Sequence, residues 1–552
     1  MPQDEDDRPW LPLYPPGVAA DVATTDASLV HAWRARVAAA PTAPAVRYFD
    51  GVITAQEAED RSNALAAALQ SRGVQRGDRI GVYLQNVPAY PLLLLALWKL
   101  GATALVLNPM YRGQELRKLI DDSGACGMVC GDDAVDETRA TVAGSTVLWI
   151  LSSSPRHGQT RDDLRAFGSL DVGPVSPDGD LLALSEEFAG RRAAEPEVGL
   201  DDVALLAYTS GTTGPAKGAM NTHGNVLAVV RSYASWLALT PDDVVLAIAP
   251  LFHITGAVIN CTIALLTGAP LVLAYRFQPE VVLEAFAEHE VTFTIGSITA
   301  FNAIYNLPQA GAEQFASVRA LYSGGAPIPP STVERFQERF GVYIHNVYGM
   351  TETTSATIAV PLRGRAPVHQ PSGTLSVGVP LPGLRARVVD PFGHPVAHGE
   401  QGELELSGPQ VVPGYWRKPE ATEATMPGGR LRTGDGAIMD EQGWIYLVDR
   451  LKDQINVSGY KVWPREVEDA LYEHPSVNEA AVVGRPDDYQ GESVVAYVSL
   501  KPGRSADPDE LRAFVRERIA PYKCPREVHL VEDLPKTQTG KIRRNVLRDP
   551  RD

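Results

Sequence analysis

The segment YTSGTTGPAKGAMNTHGN, Tyr208 to Asn225, packs serine, threonine and glycine into one loop and then places a single lysine, Lys217. Its glycines expose backbone N–H groups, and Ser210, Thr212 and Thr213 add hydroxyl donors, so the loop can cradle an anion such as phosphate. A flexible surface turn has the same composition, and the segment alone leaves both readings open. It is not a Walker A loop. That pattern, G-x-x-x-x-G-K-[ST], fails because only two residues separate Gly211 from Gly214 and because Gly218 follows Lys217.

Around this loop, from about Leu29 to Val389, apolar runs alternate with longer amphipathic stretches. RIGVYLQN reads as a strand, PAYPLLLLALWKLG as a helix and ATALVLNP as a strand; VVLAIAP, PLVLAY and VTFTIG repeat the pattern. This alternation predicts an α/β fold of parallel sheets covered by helices, which binds ligands beyond the carboxyl ends of its strands. From Arg385 the texture changes. RARVVD, GELELSG and GWIYLVDR are short alternating strands between Gly and Pro turns, a small antiparallel β lobe at about 385–450. After Arg450 comes a compact α+β pattern: helix PREVEDALYEHP, strands VNEAAVVGRP and ESVVAYVSL, and helix PDELRAFVRERIA, capped by Asp507 or Asp509. A boundary near Leu451 and Lys452 divides the chain into 1–451 and 452–552. No internal repeat is evident.

The 552 residues are 44% hydrophobic and 21% charged, enough for several lobes with large cores. A net charge of −17 argues against general binding of nucleic acid or anionic membrane, so an anionic ligand needs locally built positive sites. Of the four cysteines, Cys126 and Cys130 lie in ACGMVCGDD, a buried strand with its turn. No second pair at ligand spacing accompanies them, which favours a structural role over a metal. So few cysteines fit a reducing, cytoplasmic setting. The N-terminus MPQDEDDRPW is the opposite of a signal peptide, and the C-terminal RDPRD is no peroxisomal tripeptide. The longest apolar runs are interrupted, one by Lys99 and the other by Asn260, Gly268 and Pro270. Both read as buried helix-turn-strand units rather than membrane spans.

Further motifs follow the loop in order: YGMTETT (Tyr348 to Thr354), RTGD (Arg432 to Asp435), VDRLKDQINVSGYKVWP (Val448 to Pro464) and PKTQTGKIRR (Pro535 to Arg544). With the loop, this set resembles the adenylate-forming superfamily of acyl-CoA synthetases, firefly luciferase and peptide-synthetase adenylation domains. It is most similar to a fatty-acid or aryl-acid CoA ligase. The resemblance spans nearly the whole chain, and the ordered set is specific where any single motif is weak.

The resemblance implies a two-step reaction. A carboxylate attacks the α-phosphorus of ATP, giving an acyl adenylate and pyrophosphate; a thiol, usually coenzyme A, then attacks the acyl carbon and expels AMP. Charge neutralisation dominates a step that brings an anion to a polyanion. By resemblance, Thr209, Ser210, Gly211, Thr212, Thr213, Gly214 and Lys217 hold the β- and γ-phosphates, Thr351 contacts the α-phosphate, and Glu352 binds Mg²⁺, a hard cation suited to oxygen. Gly324, Gly325 and Ala326 of SGGAP let adenine approach backbone. Asn346 sits against its amino group, and Tyr348, followed by Gly349, offers a ring face. Asp435 can accept from both ribose hydroxyls, with Arg450 supporting the sugar. Lys541 carries the adenylation chemistry, beside Arg543 and Arg544 read as solvated charges. Lys452 is the hinge of a mobile C-terminal domain, and Gly459 keeps a pantetheine tunnel open. His253 in PLFHITG stands at a gating position. Ser297 and Phe301 in GSITAFNAI border an acyl pocket with no fixed cation for a second carboxylate, which favours an apolar fatty or aryl acid.

Taken without that context, Glu352 is a cap or surface acid, Asp435 a turn residue, and Tyr348 and His253 core rings. The implied partners are an acid, ATP and CoA, with no nucleic acid and no integral membrane segment; a homodimer stays open. A second reading is an adenylating enzyme that passes its activated oxyanion to a carrier protein, an amine or another nucleophile. A third is a non-enzymatic or oxidative relative; the intact Glu352, Asp435 and Lys541 argue against a dead scaffold, and nothing in the sequence implies the light emission of a luciferase-like role.

Overall fold

The computed structural model describes residues 7–23, 25–168, 173–209, 216–370, 372–449, 455–457, 460–487, 491–536 and 542–548. Two sheets form the large N-terminal part. In the six-stranded sheet, Trp149–Ser153, Gly127–Gly131, Arg79–Tyr83, Thr103–Val106 and Val203–Thr209 run parallel, and Lys217–Thr222 closes the edge antiparallel to Val203–Thr209. The nine-stranded sheet has a parallel centre that includes Phe293–Gly296, Ala320–Gly324 and Ile344–Met350, with antiparallel strands at both ends. The β lobe is a four-stranded antiparallel sheet, Arg385–Val389, Gln401–Ser407, Leu431–Met439 and Ile445–Asp449. Residues 455–548 hold a separate five-stranded sheet with its own apolar core.

The helix Ala89–Lys99 shows why the sheets pack as they do. Every one of its residues is buried, and a helix that is apolar all round has to lie inside the protein. Its two polar rings reach in opposite directions. Tyr90 donates to the Leu251 carbonyl (2.6 Å), beside the nine-stranded sheet, and Trp98 Nε1 donates to the Ala204 carbonyl (3.2 Å) of the six-stranded one. Among the described residues no helix is long and apolar enough to cross a membrane.

Several local readings are refined by the packing. Within VVLAIAP only Val245–Leu246 is strand, because the chain turns away to begin the helical segment after His253. That segment opens as a π-helix, Gly256–Thr262, continues as the α-helix Ile263–Thr267 and turns at Gly268 (φ 91°) into the strand Leu271–Leu273. Asp507, not Asp509, caps the helix Pro508–Arg516 by accepting from Glu510 N. Arg544 is not a solvated charge: its guanidinium grips the buried Glu468 carboxylate at 2.6 and 2.9 Å.

The Lys99 ammonium at the end of the buried helix is fully enclosed. It donates to Glu59 Oε2, Ser62 Oγ and Asn63 Oδ1, each at 2.7 Å, and Trp33 Nε1 donates to the same Glu59 oxygen. Burial pulls the Lys99 ammonium down to about 8 in spite of the carboxylate. Removing one partner of such a pair strands the other charge in the core, at a cost of about 3–5 kcal/mol. Lys99→Met is therefore expected to lower the urea midpoint more than Lys99→Met combined with Glu59→Gln. Equal midpoints for the two variants would show that the stranded carboxylate is not the source of the loss.

Candidate active site

Two parallel strands end side by side at the centre of the nine-stranded sheet, with Gly324 opposite Val347. Neither end tolerates a side chain. A Cβ on Gly324 would stand 2.6 Å from the Val347 carbonyl oxygen, and one on Gly349 would stand 2.1 Å from that of Ser355. Gly325 turns the chain at φ 81°, placing Gly324, Gly325 and Ala326 at the strand end with partial exposure. Beyond Met350 the chain makes a 3₁₀ turn, Thr351–Thr353, followed by Thr354 (φ 56°) and Ser355 (φ 118°). Two consecutive non-glycine residues with positive φ persist only where their surroundings over-determine them. Here the buried Asn221 of Lys217–Thr222 donates through Nδ2 to the Thr351 carbonyl (3.0 Å) and to Thr354 Oγ1 (3.1 Å), and Thr354 Oγ1 donates to the Gln410 carbonyl (2.9 Å).

This turn buries Glu352, which is 5% exposed. One carboxylate oxygen accepts from the Tyr415 hydroxyl at 2.6 Å. Burial, and then the carboxylate itself, push that phenol up, so it stays protonated and donates. Among the described residues no hydrogen bond reaches the second oxygen of Glu352. A half-used carboxylate on a largely buried residue, with its second oxygen accessible, fits a hard cation such as Mg²⁺. The Lys217 ammonium lies 5.0 Å over the Tyr415 ring, so Lys217 and Glu352 meet on one aromatic side chain. Thr209 stands opposite Lys217 across the hairpin. Ser210, Gly211, Thr212, Thr213 and Gly214 lie outside the described residues.

Tyr348 and Asp435 are joined directly. The Tyr348 hydroxyl donates to Asp435 Oδ2 at 2.6 Å, and burial with the nearby carboxylate holds the phenol well above its ordinary value. One of the Asp435 oxygens read as ribose acceptors is thus shared with tyrosine. Asn346 is buried and spends its Nδ2 on the Ser376 carbonyl (3.1 Å). His253 is half-buried at the entrance to the π-helix and accepts from Thr255 N through Nδ1 (3.3 Å). Ser297 caps the helix Ile298–Tyr305 by accepting from Ala300 N. Phe301 is fully buried against Phe336, 6.1 Å between ring centres.

Arg450, Lys452, Gly459 and Lys541 lie outside the described residues. The chain flanking Lys541 is firmly rooted. Lys536 pairs with Glu479 (2.6 Å), Lys536 and Ile542 form a bridge, and Arg543 N donates to the Pro535 carbonyl (2.7 Å). The C-terminal unit also touches the core just past the SGGAP turn, where Arg465 Nη2 donates to the Ile328 carbonyl (3.3 Å).

Sequence reasoning missed Tyr415, Asn221 and a cleft. The stretch GYWRKPE, an aromatic pair between turn residues, was the available signal for Tyr415. The cleft, about 360 Å³, opens at the carboxyl ends of the six-stranded sheet and is lined by Pro109, Met110, Arg112, Phe252 and Arg276, among others.

Comparison with known proteins agrees in kind. A family model described as AMP-binding enzyme matches residues 33–416, and one described as AMP-binding enzyme C-terminal domain matches residues 466–541. The long-chain-fatty-acid–CoA ligase of Bacillus subtilis (strain 168) is 34% identical over 553 residues, covering 98% of this chain and 97% of that protein. Feruloyl-CoA synthase of an Amycolatopsis species is 37% identical over 515 residues, covering 93% and 97% respectively. The solved structure of O-succinylbenzoate coenzyme A synthetase from Bacillus subtilis, in complex with ATP and magnesium ion, aligns with a TM-score of 0.79 at 28% identity. That alignment covers 94% of this chain and 99% of that one.

The base of the hairpin Val203–Thr209/Lys217–Thr222 carries a pH liability. His223 begins the helix His223–Trp236, is buried, and accepts from Leu29 N through Nδ1 at 3.3 Å. Burial pulls its imidazole down to about 4. A base whose folded value is depressed is protonated first in the unfolded chain, so stability falls as pH drops from about 6.5 toward about 4. The expected loss is about 3 kcal/mol. His223→Asn, which keeps an acceptor, should flatten the fall between pH 7 and pH 4.5 in urea titrations; an unchanged slope would assign the acid sensitivity elsewhere.

Proposed function

This chain belongs to the AMP-binding enzyme family, and on that premise we propose that it is an ATP-dependent acid–CoA ligase working through an acyl adenylate. The observation that carries the reading is the meeting of Lys217 and Glu352 on Tyr415. It sets a cation and a half-coordinated carboxylate at the root of a hydroxyl-rich loop. The names of the relatives, a fatty-acid and a feruloyl ligase, support CoA as acceptor and an apolar acid as substrate.

In the first half-reaction an oxygen of the substrate carboxylate forms a bond to the α-phosphorus, and the bond from that phosphorus to the bridging oxygen breaks. Pyrophosphate leaves with the electron pair. Lys217 and the loop donors hold the β- and γ-phosphates, Thr351 faces the α-phosphate, and Lys541 approaches the carboxylate and bridging oxygen. Mg²⁺ held by Glu352 would supply neutralisation of charge shared among phosphate oxygens. Tyr348, Asn346 and the Gly324–Ala326 turn receive adenine, and Asp435 with Arg450 receives ribose. In the second half-reaction the thiol sulfur bonds to the acyl carbon, the bond from that carbon to AMP breaks, and the thiol proton passes to solvent. Lys541 has to withdraw for this, by rotation of residues 452–552 about Lys452, with Gly459 beside the pantetheine arm. His253 gates the acyl site, which Ser297 and Phe301 border from within the wall.

Lys541→Ala is expected to lower pyrophosphate release by at least about a hundredfold, roughly 3 kcal/mol of transition-state stabilisation. It should still convert preformed acyl adenylate and CoA to thioester, and equal losses in both half-reactions would remove Lys541 from adenylation. An acid panel with ATP and Mg²⁺, scored for pyrophosphate with and without CoA, tests the reading as a whole. Stimulation by CoA with a thioester product supports it. Release indifferent to CoA points instead to a carrier protein, an amine or another acceptor.

A further inference from the structure

We propose that Tyr415 is a positioning residue for adenylation: its hydroxyl aims Glu352, and its ring and backbone tie that carboxylate to the phosphate hairpin. The proposal rests on the functional reading above and names a residue outside the motifs that suggested it.

Three contacts converge on Tyr415, which is 4% exposed. Its hydroxyl donates to Glu352 Oε1 at 2.6 Å. Its ring receives the Lys217 ammonium at 5.0 Å. Its backbone forms an extra rung on the hairpin through an antiparallel bridge to Ala219, flanked by Met220 N to the Gly414 carbonyl (3.1 Å) and Trp416 N to the Gly218 carbonyl (2.7 Å). The rung is held from outside as well. Tyr415 N donates to Thr422 Oγ1 (2.9 Å), and Asp122 receives both the Tyr208 hydroxyl (2.6 Å) and the Lys418 ammonium (2.7 Å). Gly414, at φ 153°, leaves no room for a Cβ, which would lie 2.5 Å from Thr422 Cγ2.

The chemistry follows from what the hydroxyl is not. An arginine or lysine against Glu352 would neutralise the carboxylate and compete with a cation. A neutral hydroxyl fixes one oxygen and leaves the net charge intact for the other. Partners that orient a ligating carboxylate in this way typically change metal affinity by tenfold or more when removed. The ring adds a second function, since a cation over an aromatic face is held without being paired away from phosphate.

The test separates these roles. Tyr415→Phe keeps the ring and removes the hydroxyl. In calorimetric titration of ATP, the Mg²⁺ concentration for half-maximal binding should rise by about tenfold, while ATP binding without Mg²⁺ stays within about twofold of the parent. With Mg²⁺ at saturation, kcat for pyrophosphate release should return to within about twofold. Tyr415→Leu removes the ring too and should weaken Mg²⁺-free ATP binding by about threefold or more through Lys217. A merely structural tyrosine would lower the thermal midpoint and leave the Mg²⁺ dependence unmoved; that result for Tyr415→Phe overturns the proposal. Failure of the unsubstituted protein to release pyrophosphate with any acid would overturn the functional reading instead, and the Mg²⁺-linked ATP binding would still report on Tyr415.

Discussion

The hydrogen bond between a buried carboxylate, Glu352, and the Tyr415 hydroxyl beside the Lys217 hairpin is the contact on which the rest of this structure depends. Placing Glu352 out of water with no ion pair among the described residues is costly, and a molecule with a net charge of −17 gives no background attraction for an anionic ligand. The usual remedy, a guanidinium beside the acid, would cancel the charge that a metal-bound nucleotide requires. The chain uses a neutral donor instead and holds the acid's backbone rather than its charge. Val412 N donates to the Glu352 carbonyl (2.9 Å), and Asn221 holds the carbonyl of the preceding residue. On the reading proposed above, the second carboxylate oxygen, which no hydrogen bond reaches among the described residues, is the one offered to a divalent cation.

That solution needs pieces from separate sheets to be held in register. The hairpin carrying Lys217 belongs to the six-stranded sheet, and the turn carrying Glu352 leaves the nine-stranded one. Asn221 spans the gap from one side. From the other, the segment 409–416 accepts from Thr354 at Gln410, from Asn225 at Pro409 and Val411, and supplies Tyr415. The positive φ values of Thr354 and Ser355 are carried by these bonds. A chain free of them would relax the turn and swing Glu352 away from the hairpin, so local strain and long-range hydrogen bonding are two sides of one arrangement.

The parts of this that a sequence exposes are those with local causes. Strand–helix alternation predicts the parallel sheets because each element must bury one apolar face. The shift to short alternating strands near Arg385 predicts the antiparallel lobe for the same reason. Gly324 and Gly349 stand in small-residue motifs, and at both a Cβ would collide with protein backbone, a packing constraint separate from the approach of adenine that the resemblance implies. What periodicity cannot carry is a bond across distance. Tyr415 and Glu352 are 63 residues apart, and Asn221 and Thr351 are 130 apart, so neither partner is marked in the other's neighbourhood. Arg544 fails for the same reason: beside Arg543 it looks like surface charge, and only folding brings the buried Glu468 to it, 76 residues away. The π-helix after His253 is hidden differently, since its composition is that of any apolar helix and its widened turn is set by packing.

The roots of the Lys541 segment bear on how a charge could be delivered from the C-terminal unit. Lys536 and Arg544 bracket it, each paired with an acid of that unit's own sheet or helix, Glu479 and Glu468. Glu468 is further fixed by accepting from Val482 N at 2.7 Å. Both flanks of the segment are thus held by one body. On the reading proposed above, bringing Lys541 to the nucleotide and taking it away again therefore falls to movement of residues 455–548 as a unit. The hydrogen bond from Arg465 to the Ile328 carbonyl is the kind of contact such a movement can break and remake at small cost, whereas the Arg544–Glu468 pair, if broken, would leave a buried carboxylate alone. On that reading the Arg544–Glu468 pair would travel intact with residues 455–548.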